Sequence, residues 1–205
     1  MTMEIPTFDK NVIIPDEIYF DIAGATSTEI QTILDSKKSV LAPMKINGRS
    51  IAQIIYDESV KNGINPLVTL ARLETEQSLV SRKAVKQTTL DWALGVGCPN
   101  RTTRKVEFKG IDKQLAGGIP RLAKYYLESK NFLNDGPLPK QMIVENHADD
   151  GRKIIVRPAT KSAYILYTYN PEIGISERGE EITGNYVFYV VFKRFYEAVT
   201  KGRAK

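Results

Sequence analysis

Apolar residues recur every three or four positions along much of the chain, which is the spacing of one face of an α-helix. The clearest pattern runs from Asn65 to Val80. Its apolar face carries Leu67, Leu70, Ala71 and Leu73. Asn65 suits the N-cap position, and Pro66 suits the first helical position. The pattern therefore predicts a helix that packs into a core and ends in a polar turn.

Similar patterns predict further helices. Thr26 and Glu29 form a capping-box pair before one pattern, and Ser50 suits the N-cap of another that ends at Gly63. Other helical patterns begin near Ile111, Thr160 and Asn185. Together these patterns predict five or six helices.

Two short runs have the composition of β-strands. They extend from Gln141 to Glu145 and from Lys153 to Arg157, on either side of a polar turn, and predict a hairpin. Residues 1–25 contain short apolar pieces separated by prolines and predict an extended N-terminal arm on a domain at residues 26–200. The expected fold is mainly α (α+β), a single domain with five or six helices and one small β-hairpin.

The composition is that of an ordinary globular protein. Of 205 residues, 42% are hydrophobic and 26% are charged. The net charge of +5 favours an anionic partner, such as nucleic acid, a membrane surface or a cell-wall polymer. No apolar run reaches the roughly 18 residues of a membrane-spanning helix, so we expect no transmembrane segment.

Cysteine and histidine limit the chemistry. The chain has one cysteine, Cys98, and one histidine, His147. An internal disulfide is therefore excluded, and a zinc site built from these soft ligands is not expected. We expect neither a metal nor another cofactor.

Two carboxylates near the end of the helix from Asn65 are candidates for acid catalysis. Glu74 and Glu76 lie among apolar residues that include Leu73 and Val80. Burial among apolar groups favours a protonated carboxyl group, which a general acid requires. Helical spacing does not distinguish the two. For Glu76, the alternative is a surface carboxylate paired with Arg72.

Several separated blocks occur in the order typical of one enzyme family. They read INPLVTLARLETEQSLV, LDWALGVGCPN, FKGIDKQLAGGIPRLAKYY, AYILYTYNPEIG and GNYVFYVVFKRFY. With the helical segments before the first block, they cover about residues 26 to 197. In this combination the chain resembles the lysozyme-like superfamily, which includes goose-type lysozymes and soluble lytic transglycosylases. The resemblance implies a lysozyme-like fold and cleavage of peptidoglycan.

The resemblance also implies roles for individual residues. The glutamate directly before Gln77 corresponds to the family's catalytic acid, which selects Glu76 over Glu74. Asp91 matches a family aspartate and is a candidate second catalytic carboxylate, with a structural role in a turn as the alternative. The candidate substrate-binding residues are Gln77, Ser78, Gln114, Tyr167, Tyr169 and Asn170.

We therefore expect a glycosidase that cleaves the β-1,4 bond between N-acetylmuramic acid and N-acetylglucosamine. The glycosidic oxygen must be protonated as the bond breaks, because an alkoxide is a poor leaving group. One alternative is a lytic transglycosylase, in which the muramic acid 6-hydroxyl attacks in place of water and forms anhydromuramic ends. Others are a non-catalytic module that binds the wall and a cysteine peptidase that uses Cys98 and His147.

The expected partners are the glycan strands of peptidoglycan, bound by a monomer, and no nucleic acid is expected. The start of the sequence, MTMEIPTFDK, has neither a basic region nor an apolar region of a signal peptide. This pattern would suit a phage-type lysin that is released from the host cytoplasm by a pore-forming partner or carried in a virion.

Overall fold

The computed structural model describes residues 4–98, 103–134, 141–146, 152–174 and 183–204. Within these ranges it contains eight α-helices, a short 3₁₀ helix at Val106–Phe108 and four β-strands. The helices are α1 Asp16–Tyr19, α2 Ser27–Ser36, α3 Ile51–Lys61, α4 Pro66–Gln77, α5 Gln87–Asp91, α6 Ile111–Asn134, α7 Lys161–Tyr169 and α8 Gly184–Arg203. The strands are β1 Lys45–Ile46, β2 Arg49–Ser50, β3 Met142–Asn146 and β4 Arg152–Val156. The predicted mainly α fold with a small antiparallel strand pair is confirmed.

The chain forms two compact units. The predicted division into an arm at residues 1–25 and a domain at residues 26–200 stays a prediction. The first unit comprises Met1–Phe20 and Leu122–Lys193. The second unit comprises Asp21–Arg121 and Arg194–Lys205. Helices α6 and α8 have residues in both units, so each unit is assembled from segments that are distant in sequence.

In the second unit, α2, α3 and α4 pack in the order in which they occur along the chain. Thr26 caps α2 in a full capping box with Glu29, as predicted. Ser50 caps α3 by accepting a hydrogen bond from the backbone N–H of Gln53 at 3.1 Å. The hydroxyls of Ser59 on α3 and Thr69 on α4 are 3.0 Å apart and satisfy each other in the core.

In the first unit, α1 packs against α7. The carboxylate of Asp16 accepts hydrogen bonds from the backbone N–H groups of Lys161 and Ser162, at 3.1 and 2.8 Å. The hydroxyl of Thr160 accepts a third, from the N–H of Ala163 at 3.2 Å. The start of α7 is therefore fixed by its own N-cap, Thr160, and by Asp16, which is distant in sequence. The segment predicted to form an N-terminal arm contains α1.

The hairpin predicted between residues 141 and 157 is confirmed as the antiparallel pair β3–β4. Val144 and Val156 are buried, whereas Ile143 and Ile155, which face each other across the strands, are exposed. This alternation is that of a sheet with one face on the core.

Two expectations about element number are corrected within the described ranges. Eight α-helices replace the expected five or six, because α1 and α5 are too short for a helical period to be recognised. A second hairpin, β1–β2, turns through Asn47 and Gly48, whose φ angles are +50° and +80°. No helix in these ranges combines the length and apolar character needed to cross a membrane.

Candidate active site

Helix α4 forms as its sequence predicts. The side chain of Asn65 accepts a hydrogen bond from the backbone N–H of Leu67 at 2.9 Å, and Pro66 begins the first turn. Every residue from Pro66 to Leu73 is buried, so most of the helix runs through the core. The helix ends at Ser78, whose φ of +53° lies in the left-handed region. The polar residues of the last turn therefore emerge where the helix leaves the core.

The two candidate glutamates have different surroundings. Glu74 is half-buried, and its Oε2 accepts hydrogen bonds from the backbone N–H groups of Val80 and Ser81, both at 3.0 Å. Glu76 is exposed and has no hydrogen-bond or ion-pair partner among the described residues. Glu74 thus holds the turn after α4, whereas the carboxylate of Glu76 is available to a ligand.

The exposure of Glu76 corrects the expectation that Leu73 and Val80 desolvate it. Those two residues are buried, but the Glu76 side chain points away from the core. The alternative ion pair with Arg72 is also absent from the described contacts, because Arg72 is only 2% exposed and lies inside the unit. In this structure, Glu76 is solvated.

Gln77 and Ser78, both half-buried, follow Glu76 directly. The backbone N–H of Ser78 donates to the carbonyl of Glu74 at 2.7 Å, and its own carbonyl accepts from the N–H of Arg82 at 3.0 Å. Ser78 therefore closes the helix through its backbone, and its predicted contact with substrate stays a prediction.

Asp91, the candidate second carboxylate, is 5% exposed at the end of α5. Its Oδ2 lies 3.4 Å from Nζ of Lys109, and its Oδ1 accepts a hydrogen bond from Gln87 at 3.1 Å. Its backbone carbonyl accepts from the N–H of Gly110 at 3.1 Å. Both carboxylate oxygens are engaged, which favours the structural role left open by the sequence.

Gln114 is fully buried and makes four hydrogen bonds to the backbone. Its Oε1 accepts from the N–H groups of Leu94 and Val96, at 3.1 and 3.0 Å. Its Nε2 donates to the carbonyls of Val96 and Phe108, at 3.0 and 2.7 Å. These bonds use the whole capacity of a primary amide. Gln114 therefore holds the loop that follows Asp91, and its predicted contact with substrate stays a prediction.

The remaining predicted residues belong to the first unit. Tyr167 is fully buried, and its hydroxyl donates to the carbonyl of Lys10 at 2.8 Å. Burial raises its pKa well above the usual range, and the negative charge of Asp9 adds to the shift. Tyr167 therefore anchors the N-terminal segment, and its predicted contact with substrate stays a prediction.

Tyr169 and Asn170 lie at the end of α7 and are half-buried. The backbone carbonyl of Asn170 accepts a hydrogen bond from the side chain of Asn185 at 2.7 Å. This bond ties the end of α7 to the start of α8. A substrate contact for either residue stays a prediction.

Of the two residues in the cysteine peptidase alternative, the structure describes Cys98. Cys98 is half-buried, and its Sγ accepts a hydrogen bond from Nη1 of Arg104 at 3.4 Å. His147 lies outside the described residues. Among the residues that are described, no group of three or more His, Cys, Asp or Glu side chains could hold a metal ion.

The sequence pattern missed the role of Glu74 and the hairpin at Asn47 and Gly48. An Asn-Gly pair is the strongest short signal for a two-residue hairpin and would have identified β1–β2. The role of Glu74 depends on the left-handed turn at Ser78, for which helical spacing carries no signal.

Comparison with known proteins relates the chain to one family. A family model described as LasA, N-terminal domain, matches residues 11–153, which is more than half of the chain. LasA is a peptidoglycan-cleaving enzyme of the protease type. The match includes Glu76, Asp91 and Gln114 and ends before Tyr167. No curated protein and no solved structure matches the chain.

Proposed function

The chain belongs to the LasA N-terminal domain family, and we propose on this basis that it acts on peptidoglycan. We further propose that it acts as a glycosidase, which its resemblance to the lysozyme-like superfamily implies. The proposed reaction is cleavage of the β-1,4 bond between N-acetylmuramic acid and N-acetylglucosamine, with Glu76 as the proton donor. One observation carries the assignment: of the two candidate glutamates, only Glu76 presents a carboxylate without a partner in the described structure. Glu74 is committed to two backbone N–H groups.

The fixed end of α4 supports this role. A general acid must lie within hydrogen-bond reach of the oxygen that it protonates. Glu76 stands on the last turn of a helix whose first two turns are buried, and the Glu74 hydrogen bonds fix the turn that follows. Because Glu76 is solvated in the free protein, the bound glycan would have to displace water from it before proton transfer.

In the proposed reaction, Glu76 gives its proton to the glycosidic oxygen as the bond to the muramic acid C1 breaks. The departing sugar leaves as an alcohol, and positive charge develops on the ring that remains. Water or an internal hydroxyl then attacks this ring. The resulting Glu76 carboxylate is available to accept the proton of the attacking group.

A lytic transglycosylase is the second candidate, and the engagement of Asp91 favours it. An inverting hydrolase uses a second carboxylate to activate water, but both oxygens of Asp91 already have partners. Attack by the muramic acid 6-hydroxyl requires one acid–base residue and would leave a 1,6-anhydromuramic end. The two reactions therefore differ in product but share Glu76.

The test is the loss of turbidity of purified peptidoglycan with the unmodified protein, Glu76→Gln and the control Glu107→Gln. Glu107 is exposed and lies outside the proposed site. We expect Glu76→Gln to lose at least about a hundredfold in rate, which is typical for removal of a general acid, while the control clears walls normally. Equal clearing by Glu76→Gln would overturn the assignment.

Mass spectrometry of the released fragments separates the remaining possibilities. Reducing muramic acid ends indicate hydrolysis, and anhydromuramic ends indicate intramolecular transfer. Freed peptides would instead support the cysteine peptidase that uses Cys98. Wall binding that weakens with salt, without any product, would support the non-catalytic module.

A further inference from the structure

The second unit contains a cavity of about 250 Å³ bounded by the β1–β2 hairpin, α3 and the start of α6. Each helix contributes one apolar residue and one carboxylate to its lining. Ile54 and Glu58 lie one turn apart on α3, and Ala116 and Asp112 lie one turn apart on α6. Each of these two walls therefore pairs an aliphatic group with a carboxylate.

The hairpin provides the third wall, with Ile46, Asn47 and Arg49. Positive φ angles at Asn47 and Gly48 make a tight two-residue turn, which places Ile46 opposite Arg49. The rigid turn holds a guanidinium and an amide at the rim of the cavity. The lining thus combines one cation with two anions.

The charged groups of the lining are only loosely paired. Arg49 lies 3.8 Å from Asp57, and the Arg49 side chain is 50% exposed. Glu58 lies 3.5 Å from Lys61, whose side chain is 73% exposed. Such exposed pairs contribute little free energy, so these groups are free to exchange partners with a ligand. Two carboxylates against one guanidinium also make the cavity locally negative in a protein of net charge +5.

We propose that this cavity binds an amino-acid group that carries an ammonium on an aliphatic chain together with a carboxylate. Glu58 and Asp112 receive the ammonium, the apolar residues contact the chain, and Arg49 binds the carboxylate. The volume is below the roughly 300–1,000 Å³ of pockets for drug-sized molecules and suits a single residue.

A diamino-acid residue of a wall peptide has this chemistry. That identification rests on the proposed function, because it assumes that the protein meets peptidoglycan. The preference of the cavity for an ammonium beside a carboxylate does not depend on it. On this inference the protein binds the peptide of its substrate as well as the glycan.

The experiment is an NMR titration of the full chain with Nα-acetyl-lysine, which has both charged groups. Nα-acetyl-norleucine lacks the ammonium, and 1-aminopentane lacks the carboxylate. We expect saturable shifts of backbone amides near Asn47, Glu58 and Asp112 with Nα-acetyl-lysine, and affinities at least about tenfold weaker for the other two compounds. Equal affinity for Nα-acetyl-norleucine, or shifts elsewhere in the protein, would overturn the proposal.

Asp112→Asn and Glu58→Gln test the carboxylates, and Glu107→Gln is the matched control outside the cavity. Each of the first two substitutions should lower the affinity for Nα-acetyl-lysine by at least about tenfold, while the control variant should bind it with unchanged affinity. Unchanged affinity in both would refute the inference.

Wall clearing separates this inference from the proposed function. Wall clearing that depends on Glu76, without binding of Nα-acetyl-lysine, would refute the cavity proposal and leave the proposed function intact. Binding without such clearing would sink the glycosidase proposal and leave the cavity.

Discussion

Arg203, near the end of α8, donates two hydrogen bonds to the carboxylate of Glu29 in the first turn of α2. The distances are 2.6 Å from Nε to Oε1 and 2.8 Å from Nη2 to Oε2. Arg203 also donates to the backbone carbonyl of Ala23 at 3.1 Å. A planar guanidinium that binds a carboxylate through two parallel bonds is among the strongest of exposed ion pairs. The end of the chain is thereby fixed to the first helix of the second unit.

This pair predicts a stability difference that depends on pH. The Arg203 hydrogen bond, more than any other contact, lowers the pKa of Glu29 from 4.5 to about 2. A depressed carboxyl pKa stabilises the fold above the unfolded value, and this contribution is lost as the pH falls through the folded value. Arg203→Ala should therefore cost about 1 kcal/mol or less near pH 7, after allowance for solvent screening.

The difference should shrink between pH 4.5 and about 2, the interval between the two Glu29 pKa values. Urea unfolding across this range measures it, with Lys201→Ala as the control, because Lys201 makes only an exposed pair with Glu197 at 3.8 Å. A cost of Arg203→Ala that stays constant down to pH 2 would contradict the linkage.

Gln114→Ala should destabilise the second unit by about 2–4 kcal/mol, because it leaves buried backbone groups of the loop without partners. Urea unfolding measures this change in the free energy of unfolding. The control Gln141→Ala, at an exposed position, should change the free energy of unfolding by less than about 0.5 kcal/mol. If Gln114 instead served the substrate, its replacement would lower wall clearing and leave the unfolding free energy unchanged.

Replacement of Glu74 should lower the free energy of unfolding more than replacement of Glu76. Glu74→Ala should cost about 1–2 kcal/mol, because two backbone N–H groups lose their acceptor, and Glu74→Gln should recover most of this with its remaining amide oxygen. Glu76→Ala should change the unfolding free energy by less than about 0.5 kcal/mol, as expected for an exposed side chain. Equal losses at the two positions would contradict the division of roles.

Ser78→Gly should be neutral or stabilising by up to about 1 kcal/mol, because glycine adopts a positive φ without steric cost. Ser78→Val should destabilise by more than about 1 kcal/mol, since a β-branched side chain is disfavoured in this region. Thermal unfolding of the two variants measures both effects. A destabilising glycine would indicate that the serine hydroxyl has a structural role beyond the turn.

The sequence predicts best what depends on neighbouring residues. The caps at Thr26, Ser50, Asn65 and Thr160 are local signals, and each is present in the structure. The candidate site is harder to predict from the sequence, because the burial of a polar side chain depends on distant segments that come together only in the folded protein. Gln114 is a polar residue of a type that often binds ligands. The backbone groups to which it is hydrogen-bonded, however, lie 6 to 20 positions away in sequence.

Glu74 shows the same limit at shorter range. It differs from Glu76 only through the turn at Ser78, which brings the N–H groups of Val80 and Ser81 back to the helix. The residues of the first unit add another difficulty. Tyr167 is buried through its bond to Lys10, a contact over 157 positions that no helical period predicts.

The bond between Glu29 and Arg203 has a consequence for the order of folding during synthesis. Helices α2, α3 and α4 are consecutive in sequence and contact one another, so they have the low contact order typical of fast assembly. The Arg203 bond spans 174 positions and can form only after α8 has been made. During synthesis, α2, α3 and α4 can therefore pack together before α8 exists, and we expect the C-terminal turn of α8 to join the second unit last.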